Sequence, residues 1–144
     1  MNISITEKLN ISLSRGSQYY SEWNQKNGLT DYLSLIMYEL LIRKRLTQKE
    51  LAELGDLPKQ SINKGIKILK DQGYLELIAD SHDKRVKFCQ LTAAGHKYAK
   101  EKMQPLFSLE NQTAEKMGAA KMQQLLKLSD EWNENFDEKS TDLS

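Results

Sequence analysis

The chain has 144 residues, of which 39% are apolar and 28% charged, as is typical of a soluble globular domain. Lysine and arginine number 21 and aspartate and glutamate 20, so the net charge is only +1. The single cysteine, Cys89, excludes a disulfide-stapled scaffold, and the amino terminus lacks the basic-then-apolar pattern of a signal peptide. No apolar stretch is long enough to cross a bilayer, so we expect a soluble cytoplasmic protein with no membrane partner.

The near-neutral total conceals an uneven distribution of charge along the chain. Residues 30–104 carry fourteen basic and ten acidic side chains, a net of +4, whereas residues 105–144 carry four basic and eight acidic ones, a net of −4. This gradient favours an anionic partner for the middle of the chain only. The alternative is an ordinary surface, because a segment with a net charge of +4 is common on soluble domains.

Over residues 3–27 one stripe of apolar residues, at spacings of about four, seven and three, predicts a first helix: Leu9, Leu13, Tyr20 and Trp23. Gly28 is suited to end this helix in a left-handed conformation, and Thr30 can cap a second helix that runs to about Arg43. The second helix is apolar over much of its circumference, so we expect it to be central in the fold.

Two local signals predict the next pair of helices. Thr47-Gln48-Lys49-Glu50 is a capping box, in which the Thr hydroxyl and the Glu carboxylate can satisfy two free amides at a helix start. Gly55 ends the short helix that follows. Pro58 suits the first position of the next helix, where its missing amide hydrogen costs nothing, and that helix runs to about Gln72.

Two short strands over residues 74–79 and 86–91 flank a polar loop and predict a hairpin. Thr92 can cap a further helix, which Pro105 is expected to kink or divide. A last helix covers about residues 119–136, and a frayed polar end is expected after it.

The order of helix, short helix, break, helix and hairpin is that of a winged helix-turn-helix. In this unit the helix after the break lies in the major groove of DNA, and the hairpin, called the wing, reaches the flanking backbone or minor groove. The expected fold class is mainly α with a small β-hairpin wing. Residues 30–100 would form the DNA-binding domain, and residues 1–29 and 101–144 would supply dimerisation helices.

The helix after Pro58 has the two faces that this role requires. Ile62, Ile66 and Leu69 recur at helical spacing and predict a buried face. No carboxylate occurs in this helix before Asp71, whereas a solvated surface helix, the alternative, normally mixes both signs of charge. Donors for phosphates and base edges occupy the other positions, so we predict DNA contacts at Lys59, Gln60, Ser61, Asn63, Lys64 and Lys67.

Several of these segments resemble the MarR family of bacterial transcription regulators. The similar segments are Leu46–Glu53, Leu57–Asn63 and Leu69–Leu75. The hairpin tip Asp83-Lys84-Arg85 and the following Leu91-Thr92-Ala93-Ala94-Gly95 resemble the wing signature of that family, an Asp-x-Arg tip and a Leu-Thr helix start with a nearby glycine. The flanking helices are similar to that family in order and length only.

The resemblance implies roles for the residues of the wing. Arg85 would enter the minor groove, where negative potential is focused, and Lys84 and Lys87 would add contacts to DNA. Asp83 would support the wing by hydrogen bonds without touching DNA. A solvent-exposed turn pair is the alternative for Asp83 and Arg85. The family often carries a second acidic-basic pair just after the arginine, and Val86-Lys87 stands there instead, so we expect a wing that is held less firmly.

The resemblance also implies a homodimer that represses transcription from a near-palindromic operator on double-stranded DNA. The terminal helices would form its interface, although they could instead extend a monomeric core. Family members commonly answer to a small aromatic effector bound beside the dimer helices. Such a pocket could be lined by Tyr19, Tyr20, Trp23, Met37 and Tyr38, but aromatic residues at helical spacing are more often core residues.

Signs of an enzyme are absent from the sequence. His82 and His96 are the only histidines, and neither stands in a metal-binding or triad-like spacing. Cys89 is better interpreted as a small strand residue than as a redox switch. We therefore expect no catalytic residues, no metal and no cofactor. The alternative function is a winged-helix protein-interaction adaptor without specific DNA binding.

Overall fold

The computed structural model describes residues 4–143 of the chain. Within this range the elements follow in the order α1 (Ile5–Lys26), α2 (Asp31–Arg43), β1 (Arg45–Thr47), α3 (Gln48–Gly55), α4 (Lys59–Asp71), β2 (Leu75–Ala79), β3 (Lys87–Leu91), α5 (Ala93–Met117) and α6 (Ala119–Asp142). The expected fold class, mainly α with a small wing, is confirmed. The start of the first predicted helix, at residue 3, lies outside the described residues.

Local sequence determines where α2 and α3 begin. At the start of α2, the amide of Leu33 donates to Thr30 Oγ1 at 3.3 Å. At the start of α3, the amide of Glu50 donates to Thr47 Oγ1 and the amide of Thr47 donates to Glu50 Oε1, both at 3.1 Å. The predicted capping box is therefore present with both of its hydrogen bonds.

The wing belongs to a three-stranded antiparallel sheet in the order β1-β3-β2. Leu46 of β1 and Leu77 of β2 both lie opposite Cys89 of β3. We did not predict β1, because three residues are too few to show an alternating pattern. It is a strand only because it pairs with β3, which is distant in the sequence.

The chain divides into two compact units, and the first comprises residues 4–103 of the described range. Its core is formed by side chains that are almost completely buried, including Ile36 and Met37 of α2, Leu51 of α3 and Ile62 of α4. The core also extends to the inner face of the sheet. α2 is therefore central, as its broad apolar circumference predicts.

The second unit, residues 104–143, contains the end of α5 and all of α6. Of the two expectations for Pro105, a kink or a division, the division is wrong: α5 is one helix from Ala93 to Met117, and a proline removes only one of its backbone donors. The helix α6 continues to Asp142, where we expected a frayed end after about Phe136. The pair between Lys139 Nζ and Asp142 Oδ2, 3.9 Å apart, lies within this added stretch.

Candidate nucleic-acid interface

The helix α4 separates an apolar face from a polar one. Ile62, Gly65, Ile66 and Leu69 are buried against the rest of the first unit. The side chains predicted to contact DNA are exposed, apart from the half-buried Ser61: they are Lys59, Gln60, Asn63, Lys64 and Lys67. α4 therefore offers amide and ammonium donors along its exposed side, which is the chemistry that phosphates and base edges accept.

One of these cations already has an acidic neighbour. Lys67 Nζ lies 3.3 Å from Asp71 Oδ2, and both side chains are largely exposed. Exposed pairs of this kind contribute about 1 kcal/mol at most, because water screens them. The pair is therefore weak enough for another anion to compete with Asp71 for Lys67.

Two aspartates organise the loop at the tip of the wing. Asp80 Oδ2 accepts hydrogen bonds from the amides of His82 and Asp83, at 3.1 and 2.9 Å. Asp83 Oδ1 accepts from the amide of Arg85 at 3.1 Å. The role of Asp80 was missed at the sequence level, although an aspartate that starts a polar turn is a recognised signal for such bonds.

The Arg85 side chain projects from this loop and is paired with Asp83. Its Nε lies 3.1 Å from Asp83 Oδ1 and its Nη2 lies 3.3 Å from Asp83 Oδ2, although the side chain is 91% exposed. The guanidinium and then the amide of Arg85 hold the pKa of Asp83 below its ordinary value. Asp83 is therefore ionised at neutral pH, and its carboxylate orients the Arg85 guanidinium.

An open cleft of about 450 Å³ lies between the wing and the first turns of α3 and α4. The side chains around it include four cations, Lys49, Lys59, Arg85 and Lys87, together with Thr47 and Gln48. Leu77 and Val86 contribute apolar surface to the same cleft. Cations around an apolar lining suit a sugar-phosphate strand, since they can bind phosphates while the sugars pack on the apolar atoms.

This cleft brings together residues predicted separately on α4 and on the wing, and it adds some that were not predicted. Lys59 was predicted on α4, and Arg85 and Lys87 on the wing. Gln48 and Lys49 were interpreted only as part of a capping box. A signal was available, because the helix dipole disfavours a lysine in the first turn of a helix, so Lys49 gains nothing from that position. Lys84 at the wing tip is exposed.

The residues predicted for an effector pocket have different environments. Tyr19 and Tyr20 of α1 are 62% and 49% exposed, respectively. Trp23 and Tyr38 are half-buried. Met37 is 1% exposed and belongs to the core of the first unit.

Cys89 lies on the inner face of β3 and is completely buried. Burial raises the pKa of its thiol to about 11, so the thiolate is scarce at neutral pH. Residues 4–143 contain no group of three or more His, Cys, Asp or Glu side chains arranged to hold a metal ion. Within the same range no helix combines the length and the apolar character needed to span a membrane.

The fold and the donor-rich face of α4 define a DNA-binding protein of the winged helix-turn-helix class. Residues 28–86, which contain most of the winged helix, match the family model of the MarR family, in agreement with the resemblance found in the sequence. The matched range contains α2 to β2 and the wing loop. No curated protein sequence matches the chain.

Solved structures share the fold over nearly the whole chain. A MarR family regulator from Neisseria meningitidis is 21% identical, with a TM-score of 0.88, and the match covers 99% of this chain and 100% of that one. NadR in complex with 4-hydroxyphenylacetate is 23% identical, with a TM-score of 0.78 and coverage of 92% and 96%. BpsR from Bordetella bronchiseptica, whose DNA binding is regulated by 6-hydroxynicotinic acid, is 17% identical, with a TM-score of 0.68 and coverage of 92% and 98%.

Proposed function

We propose that the chain is a homodimeric, sequence-specific repressor that binds a near-palindromic operator and responds to a small aromatic ligand. The observation that carries this proposal is the donor surface that runs from α4 through the cleft to the wing. Lys59 belongs both to the exposed side of α4 and to the cleft that Arg85 and Lys87 border. A duplex bound there would have α4 in its major groove and the intervening backbone in the cleft.

Different side chains of this surface suit different parts of DNA. Gln60 and Asn63 carry amides that can pair bidentately with an adenine edge. Lys49, Lys59 and Lys87 are point charges suited to phosphates, because an ammonium has no fixed planar geometry. We therefore assign base reading to the amides of α4 and backbone anchoring to the lysines of the cleft.

The dimer is supported by apolar side chains that the protomer leaves in water. On α1, Leu13 is 53% exposed, and on α6, Leu126 and Phe136 are each 64% exposed. Exposed apolar side chains on whole helices are typical of surfaces that a partner covers. A two-fold dimer would present two copies of α4 to half-sites about 34–36 Å apart, which is the basis for expecting a near-palindromic operator.

The ligand response is supported by relatives that share the fold. NadR is described in complex with 4-hydroxyphenylacetate, and BpsR is regulated by 6-hydroxynicotinic acid. Both compounds are small hydroxylated aromatic acids. In this chain we assign the aromatic contacts to Tyr19, Tyr20, Trp23 and Tyr38, which retain exposure, and not to the buried Met37.

The decisive experiment measures binding of the full chain to the DNA upstream of its own gene by fluorescence anisotropy over a series of salt concentrations. Gln60→Ala and Asn63→Ala should each lose about 1–3 kcal/mol on the operator and much less on an operator changed at one base pair. Lys49→Ala should weaken both DNAs alike and reduce the salt slope by about one. Gln104→Ala, an exposed glutamine of α5, is the matched control and should bind like the wild type.

The result that would overturn the assignment is an equal loss on both DNAs from Gln60→Ala and Asn63→Ala. Failure of the wild-type chain to prefer its own upstream DNA over unrelated DNA would favour the adaptor function instead. For the ligand response, 4-hydroxyphenylacetate and 6-hydroxynicotinic acid are the probes, and at least one related aromatic acid should release bound DNA. In a Trp23→Ala chain that release should need more ligand.

The dimer is tested with the full chain by sedimentation. Leu126→Glu introduces a charge into the proposed interface and should shift the chain towards a monomer. Ile42→Glu is the matched control, since Ile42 of α2 is 51% exposed and lies outside that interface. Equal behaviour of the two variants would remove α6 from the interface.

A further inference from the structure

The side chain of Tyr32, in the first turn of α2, packs against α4 at Gly65. An added Cβ at Gly65 of α4 would lie 2.8 Å from Tyr32 Cδ2 and 2.6 Å from Ile36 Cδ1. The absence of a side chain at Gly65 therefore lets α4 approach α2 closely at this point. This close approach brings the aromatic ring of Tyr32 next to the exposed side of α4.

The residue that precedes Gly65 lies over the same ring. Lys64 Nζ is 5.9 Å from the centroid of the Tyr32 ring, within the range of a cation–π interaction. Lys64 is exposed and Tyr32 is half-buried, so the ring is fixed by packing while the ammonium remains open to a ligand. A long lysine side chain that is held in this way loses less conformational freedom when a phosphate binds.

The position of Tyr32 is itself tied to α1 through its neighbour Asp31. Asn24 Nδ2 donates to Asp31 Oδ1 at 2.9 Å, and Ser21 Oγ donates to Asp31 Oδ2 at 3.0 Å. Asn24 is 6% exposed, so its end of this connection is shielded from water, whereas Ser21 and Asp31 are exposed. The first turn of α2 therefore hydrogen-bonds to α1 through Asp31 and packs against α4 through Tyr32.

We infer that Tyr32 is a positioning residue for DNA binding, which holds the Lys64 ammonium over its ring in the orientation that meets a backbone phosphate. The inference rests on the proposed function for the DNA part of its role. The ring itself does not touch DNA. It acts through Lys64, and the hydroxyl group of Tyr32 is not needed.

The test is a double-mutant cycle on the full chain with operator DNA and unrelated DNA. Tyr32→Leu should weaken binding to both DNAs by about two- to fivefold, the effect expected of one exposed cation–π contact. In a Lys64→Ala background, Tyr32→Leu should cause no further loss. Tyr32→Phe should bind like the wild type, because it keeps the ring. Additive losses from Tyr32→Leu and Lys64→Ala would overturn the inference.

A matched control separates positioning from a general loss of packing. Tyr98 of α5 is also a half-buried tyrosine with a lysine over its ring, Lys102 Nζ being 5.7 Å from the centroid, but neither residue lies on α4. Tyr98→Leu should leave DNA affinity unchanged when circular dichroism shows a folded protein. A loss equal to that of Tyr32→Leu would mean that packing alone is responsible.

A second measurement needs only the wild-type protein without DNA. In an NMR spectrum the ring current of Tyr32 should shift the Hε protons of Lys64 upfield relative to those of Lys67 on the same helix. Absence of that shift overturns the inference whatever the chain binds. If the shift is present but the chain binds no DNA, the proposed function fails, and so does the role of Tyr32 in DNA binding. If the chain binds DNA but the losses from Tyr32→Leu and Lys64→Ala are additive, only the inference about Tyr32 is overturned.

Discussion

The substitution Gly95→Ala tests how closely α5 approaches the junction between α4 and β2. A Cβ at residue 95 would overlap the carbonyl oxygen of Tyr74, and it would lie 2.6 Å from the carbonyl carbon and 2.8 Å from the Cα of the same residue. The Tyr74 carbonyl accepts from the amide of Thr92 at 3.1 Å, and the Tyr74 amide donates to the carbonyl of Leu69 at 2.9 Å. Because these are bonded backbone atoms, they cannot rotate away as the end of a side chain could.

The expected cost follows from three contributions. Overpacking at a site of this kind costs about 1–3 kcal/mol. Loss of the hydrogen bond between Thr92 and Tyr74 adds about 1 kcal/mol. Alanine favours a helix over glycine by about 1 kcal/mol, which offsets part of the cost. We therefore expect Gly95→Ala to lower the free energy of unfolding by about 1–3 kcal/mol.

Urea denaturation followed by circular dichroism at one fixed protein concentration measures this change. The matched control is Gly16→Ala in α1, where no atom lies within 4 Å of the added Cβ. There the helix propensity of alanine should act without a clash and raise stability by about 0.5–1 kcal/mol. If Gly95→Ala proves as stable as Gly16→Ala, the close approach of α5 to Tyr74 is refuted.

Three further predictions concern ionisable groups. Asp71→Asn should strengthen binding to DNA of any sequence by up to about fivefold, because it frees Lys67 from a surface ion pair that contributes about 1 kcal/mol at most. Cys89 should react slowly with iodoacetamide at pH 7 to 8 in the folded chain and rapidly in urea, since burial raises the pKa of its thiol to about 11. The carboxyl of Asp83 should titrate below its ordinary value of 3.8 in an NMR titration, so its pairing with Arg85 should persist from neutral pH down past 3.8 and be lost only as the pH falls through the lowered pKa.

Two of these predictions have a control variant in the same chain, and the third has a direct contradicting result. Asp142→Asn removes a similar exposed pair on α6 and should leave DNA affinity unchanged, so an equal gain from Asp142→Asn would indicate a general charge effect. Fast labelling of Cys89 under native conditions would contradict its burial. In an Arg85→Ala chain the pKa of Asp83 should rise towards 3.8, and an unchanged pKa would mean that the guanidinium is not its main cause.

The prediction of α4 from sequence succeeded because helical spacing is a local property. The positions of Ile62, Ile66 and Leu69 already define one face, and every other residue on α4 then has a known direction. The capping box at Thr47 and Glu50 was equally readable, since both of its hydrogen bonds join residues three apart. The helical end of α6 was underestimated because exposed polar residues carry little pattern, although they are compatible with a helix.

The parts of the site that only the tertiary structure decided depend on residues distant in the sequence. The cleft collects Lys49, Lys59 and Lys87 from three separate elements, and no local spacing relates them.

The short strand β1 and the two close approaches at Gly65 and Gly95 have the same origin. The strand forms because β3 pairs with it, and each close approach forms because another segment packs against the glycine. Such contacts depend on how the chain buries its core around α2. By itself, the sequence therefore determined the helices and the two strands of the hairpin, where α2 and α3 begin and which side of α4 carries donors. The fold decided which cations share one cleft and which ring lies under Lys64, because both depend on how closely distant segments pack.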